Sequence, residues 1–207
     1  MKPPRNSAIR LRRKGTGVLP PNPLRWEQEH NGLDLRLALE LSPEGRLDHV
    51  QAFNLLDEVL GVIPHTQLTL SRAELQHFSG AKARRWSGMC VPFPEGDFLV
   101  VYNANHPETR IRATLMEEFF HLCLGHTPTT VRAFPVGEKA RDYDSGKESE
   151  AFGSGAAALV PYKPLREMLQ SGMTMHHIAR HFHVSEQLVE FRVKVSKLTR
   201  LTHLSTV

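Results

Sequence analysis

The stretch TLMEEFFHLCLGH at residues 114–126 decides how this chain is read. Leu115, Met116, Phe119, Phe120, Leu122 and Leu124 surround it with apolar residues, and Gly125 supplies a stop. A helix from about Glu108 to Leu124 is predicted. Residues four apart share a helix face, so Glu117 and His121 can address one point in space while Glu118 stands beside them. An acidic helix face is often merely solvated, but these apolar neighbours make this one hard to expose. Buried carboxylates are costly without compensation, and a cation would compensate them.

A second stretch, ESEAFGSGAAALVP at 148–161, carries carboxylates followed by small residues. Glycine weakens an isolated helix, so Gly153 and Gly155 imply close backbone packing against a neighbour, the first helix being the obvious one. A zinc hydrolase needs three protein ligands, an open position for water and a carboxylate to take the water's proton. The residues supply each part: Glu117, His121 and Glu150 as metal ligands and Glu118 as general base. Glu148 is the reserve third ligand. Tyr143, in the loop before Glu150, is the one residue named as a candidate oxyanion donor. His126 lies off the ligand face, where a capping or exposed role is expected.

Working outward, Gly88 to Phe93, a turn at Pro94 to Asp97, and Phe98 to Tyr102 read as a hairpin rich in strand formers. Upstream, LDLRLALEL at 33–41 alternates like a strand while its composition also favours helix, and both readings stand. Ser42-Pro43-Glu44 reads as a helix start, with Leu47, Val50, Phe53, Leu56 and Leu60 at spacings of three or four and Gly61 as the stop. Ser71 and Glu74 have capping-box spacing and open a short helix ending near Gly80. From His126 to Lys147 the pattern dissolves into a long loop of the kind that borders active sites.

Near the end, GMTMHHIARHFHVSEQLVEFRVKVSKL at 172–198 divides into two helices, capped by Thr174 and Ser185, around a tight turn. This is helix-turn-helix spacing. A DNA reader wants Arg, Lys, Asn or Gln at the start of its second helix. Here stand Glu186 and Gln187, with Arg192, Lys194 and Lys197 only later, so DNA binding is weakly supported and a packing or docking module is favoured. His176, His177, His181 and His183 read as a polar helix face rather than a second metal site.

The chain has 207 residues, 40% of them hydrophobic, which suits a packed domain with an appendage. Its formal charge of +4 misleads. Lys2, Arg5, Arg10, Arg12, Arg13, Lys14 and Arg25 all precede the first acidic residue, Glu27. Without those seven, 19 basic residues face 22 acidic ones, a net of −3. The basicity sits in a Pro-rich segment expected to be disordered, either a solvated extension or a tail that grazes nucleic acid or an acidic partner. No apolar run approaches the ~20 residues of a membrane span, and no secretory signal is read, so no membrane partner and a cytoplasmic location are expected. Cys90 and Cys123 lack CxxC spacing and read as buried free thiols.

At these residues the chain resembles the ImmA/IrrE family of metallo-endopeptidases, whose helix reads roughly R.TLAHELGH and is followed by E.EA..FA..LLMP. Arg112 to His121 and Glu148 to Pro161 line up with the two patterns without gaps. The preceding strand and the terminal helical pair extend the likeness over residues 85–200. The resemblance implies an α+β fold, a gluzincin-like minimal metallopeptidase domain with a small β-sheet and a C-terminal helix-turn-helix-like subdomain. Its expected parts are a disordered tail over 1–25, the metallopeptidase-like domain over 26–164 and the helical subdomain over 165–207. It also implies zinc-dependent cleavage of a regulatory protein, often a transcriptional repressor.

One departure matters: the family usually has His where this chain has Glu117. One His and two carboxylates neutralise Zn²⁺, and such carboxylate-rich sites lean towards Mn²⁺ or Fe²⁺. The alternative function is a weakened or inactive protease-fold regulator that binds a partner protein or DNA.

Overall fold

A computed structural model describes residues 17–69, 86–126 and 144–202. The helix expected from Ser71 to Gly80, Tyr143, most of the loop before Glu148 and the greater part of the basic tail lie outside the described residues.

The ambiguous segment at 33–41 is helical as far as Ala38. α1 runs Trp26–Ala38, with Glu27 and Glu29 in its first turn and Arg36 in its last, the charge order that complements the helix dipole. Its buried face is unusually polar, because Arg36 is spent on carbonyls. Arg36 Nη1 donates to the Ala158 carbonyl at 2.6 Å, and Nη2 to those of Ser42 and Gly45. Burial lowers the Arg36 pKa to about 10, still above neutrality, so the charge is retained.

The long amphipathic helix expected from Ser42 to Leu60 does not form. Ser42 Oγ instead accepts from the Gly45 amide, and Arg36 holds the carbonyls of that turn. α2 is a short helix, His49–Phe53, capped by Asp48, whose side chain accepts from the Val50 amide. Residues Val59–Pro64 form β1, with Gly61 inside the strand rather than ending a helix. Val59, Val62 and Ile63 are β-branched, and pairing with a neighbouring strand outweighs the three-or-four spacing of the leucines.

The hairpin forms as expected. β2 (Gly88–Pro92) and β3 (Phe98–Tyr102) pair antiparallel, and β1 joins β3 in parallel, giving the order β1-β3-β2. Val62, Val100 and Cys90 occupy one row across the sheet. Under it lies α3 (Glu108–Cys123), whose Leu115, Met116, Phe119 and Phe120 are fully buried and whose Phe119 ring meets Phe53 edge-on at 5.6 Å. Arg112 ties α3 to the chain before α2 by donating to the Leu47 carbonyl at 2.7 Å.

α4 (Ser145–Leu159), capped by Asp144, is wedged between α3 and α1. Small residues make this possible. A Cβ on Gly155 would stand 3.0 Å from the Met116 carbonyl carbon, and one on Gly32 would stand 2.6 Å from the Ala158 nitrogen. Behind this layer come α5 (Tyr162–Gln170), α6 (Met175–Phe182), α7 (Glu186–Val195) and the short α8 (Thr199–Thr202). Thr174 and Ser185 cap α6 and α7 as expected, and His183 makes the turn between them at φ 56°. A buried ion pair anchors the helical pair to the body: Arg192 Nη2 donates to Glu29 Oε2 at 2.5 Å and Arg192 Nε to the Val160 carbonyl at 2.8 Å. Among the described residues, no helix is long and apolar enough to cross a membrane.

Replacing a helical glycine by alanine ordinarily stabilises by about 1 kcal/mol. Gly32→Ala is expected to do the reverse, losing roughly 1–3 kcal/mol as α1 is forced off α4. Urea unfolding checks the sign: a midpoint above that of the parent would mean the two backbones are not in close contact.

Candidate metal centre

α3 and α4 bring three side chains together. Glu117 and His121, one turn apart on α3, meet Glu148 from the first turn of α4, and one ligand atom from each lies within 4.8 Å of the other two. All three are partly buried. His121 Nε2 stands 3.6 Å from Glu148 Oε2. An imidazole and two carboxylates converging this closely are a donor set that suits a divalent cation, which relieves the repulsion between the two acids.

The third ligand named from sequence, Glu150, is placed elsewhere. Its Oε2 lies 3.3 Å from His126 Nε2, and it is Glu148 that completes the group with Glu117 and His121. The helix period explains the division. Glu148 is in line with Ala151 and Gly155, the face laid against α3, whereas Glu150 is in line with Gly153, Ser154 and Ala157, which meet Gln28, Asn31 and Gly32 of α1.

His126 is not exposed; it is 8% accessible, and its Nδ1 lies 3.1 Å from His121 Nδ1. The end of α3 accounts for this. Gly125 is left-handed at φ 67°, its amide donates to the Leu122 carbonyl, and the His126 amide donates to the His121 carbonyl at 2.8 Å. This is the Schellman arrangement, which folds the second residue past the cap back onto the third residue before it. The spacing of His121, Gly125 and His126 therefore carried a signal that ligand-face reasoning passed over.

Glu118 faces β2. Cys90 Sγ donates to Glu118 Oε2 at 3.2 Å, and the absence of a side chain at Gly88 leaves room beside Oε1. Burial above all, then the negative charge of Glu118 and this hydrogen bond, push the Cys90 thiol far up, so it stays protonated and acts as a donor. Cys123, also buried and free, is raised to about 11 by burial and by the charge of Glu58. The terminal histidines are engaged one by one, His176 with Glu186, His177 with Thr174 and His181 with the Glu44 carbonyl. Arg192, in the second half of α7, is buried against Glu29.

The chain matches the family model Peptidase_M78, the IrrE N-terminal-like domain, over residues 62–194. It belongs to that family, and its small sheet with packed helices is a minimal metallopeptidase fold of the α+β class. Searches of curated proteins and of solved structures gave no match.

The raised thiols make stability fall in alkali. A folded thiol whose pKa lies above its ordinary value of 9.0 contributes fully below pH 9, and that contribution is lost as the pH climbs through about 11 for Cys123. Urea midpoints measured from pH 8 to 11 are expected to drop less steeply in Cys123→Ala than in the parent; parallel curves would show that the thiol ionises as readily folded as unfolded.

Proposed function

We propose that this member of the IrrE N-terminal-like family is a metal-dependent endopeptidase that hydrolyses a regulatory protein, such as a transcriptional repressor. The observation that carries the reading is the Glu117, His121 and Glu148 group with Glu118 next to it on the same helix. Glu117, His121 and Glu148 would hold the cation. Zinc is the metal the family resemblance implies, and Mn²⁺ or Fe²⁺ suit the second carboxylate. When bound, such an ion polarises a carbonyl and acidifies water.

The chain's own groups account for the proton. Glu118 accepts it from the attacking water through Oε1, while the Cys90 thiol holds Oε2 and stops the carboxylate turning away. Glu118 then carries the proton to the leaving amine. β2 walls this side of the site, and α4 closes the other. The terminal helical pair acts as a packing module rather than a DNA reader, because Arg192 is committed to Glu29 and the first turn of α7 is acidic.

The test has two steps. Purified protein is expected to bind a divalent cation under saturating Zn²⁺ or Mn²⁺, and Glu118→Gln to keep that binding while hydrolysis of a proteome-derived peptide library, read as new termini by mass spectrometry, falls by about 10²–10⁴. Parent protein that takes up neither ion removes the enzymatic reading. A variant that cleaves as well as its parent removes Glu118 from the mechanism.

A further inference from the structure

His126 and Glu150 have no part in the ligand group, yet they are joined to it by two contacts in series. His126 Nδ1 lies 3.1 Å from His121 Nδ1, and His126 Nε2 lies 3.3 Å from Glu150 Oε2. His126 is almost fully buried, and the cap at Gly125 seats it under His121. We infer that Glu150, His126 and His121 form a relay that sets the orientation and tautomer of the ligand imidazole, with His126 and Glu150 as positioning residues.

With Glu150 ionised and both imidazoles neutral, the donors and acceptors admit one consistent order. A carboxylate only accepts, so the proton between His126 and Glu150 sits on His126 Nε2. A neutral His126 then has a bare Nδ1, which accepts from His121 Nδ1. His121, carrying its proton there, presents the lone pair of Nε2 on the side of Glu148. The relay thus ends on the one nitrogen that a cation requires. A ligand histidine whose second nitrogen is held by a carboxylate or another fixed acceptor is more basic and cannot rotate.

This order also explains why α4 carries two glutamates two residues apart. Glu148 lies on the α3-facing line and joins the ligand group; Glu150 lies on the next line and reaches the far side of His126. One helix turn therefore serves both the group itself and its support.

The inference rests on the ligand reading of Glu117, His121 and Glu148, and the experiment separates the two. Affinity for Zn²⁺ and Co²⁺ is measured by competition with a chromophoric chelator for the parent, His126→Ala, Glu150→Ala, Glu150→Gln and the double alanine variant. Each alanine variant is expected to bind about 10–100-fold more weakly, with the shape of the Co²⁺ absorption unchanged because the ligand set is intact. The double variant is expected to be no weaker than His126→Ala. Glu150→Gln, whose carbonyl still accepts from His126, is expected to recover part of the loss. Glu150 is about a third exposed, so its variants carry the test if replacing the buried His126 impairs folding.

Variants as tight as a metal-binding parent would overturn the relay and leave the ligand group standing. So would a Co²⁺ spectrum that changes in His126→Ala, since it would make His126 a ligand. A parent that binds neither ion would sink the ligand reading, and the relay with it.

Discussion

The near-contact of three helix backbones is what the rest of this molecule depends on. α4 touches α3 at Gly155 and α1 at Ala157 and Ala158, with Gly32 completing the second contact, and no larger side chain fits at these crossings. Close approach on both flanks leaves α4 little freedom to slide or rotate. The start of α4 is thereby set over the end of α3, where Glu148 meets His121 and Glu150 meets His126. A shift of one residue along α4 would turn its first-turn acids by about 100° and break both pairs.

The electrostatics of the two helix ends favour the same arrangement. The last turn of α3 carries the negative end of its dipole, and an imidazole, His121, stands there rather than a further carboxylate. The first turn of α4 is the positive end of its own, and Glu148 is there. Glu117 and Glu118 enjoy no such help, since both stand in the second half of α3. Their charges are managed by neighbours instead, and for Glu118 one of these is the Cys90 thiol that burial keeps protonated. A cation between Glu117 and Glu148 would complete this balance on the acidic side.

Much of this was legible in the residues, for reasons that differ by element. The hairpin was readable because its turn chemistry and strand formers are adjacent in sequence, and α3 because its apolar period and glycine stop agree. The paired caps at Thr174 and Ser185 are local signals of the same kind. The misreading of Ser42 to Leu60 has a non-local cause. Arg36, from the preceding helix, claims the carbonyls of Ser42 and Gly45, and β3, some forty residues later, recruits Val59 to Pro64 as a strand. Neither partner is visible within the segment itself.

The division of labour between Glu148 and Glu150 shows where spacing arguments need one more step. Both acids lie close enough in sequence to serve as third ligand, and separation along the chain does not choose between them. The faces of the helix do, because small residues at 151 and 155 mark the side that meets α3 and those at 153, 154 and 157 mark the side that meets α1. A glutamate one turn before the first line is carried to His121; one turn before the second, it is carried past His121 to the imidazole behind it. Small-residue lines on a wedged helix therefore separate the two acids onto different faces where proximity in sequence does not.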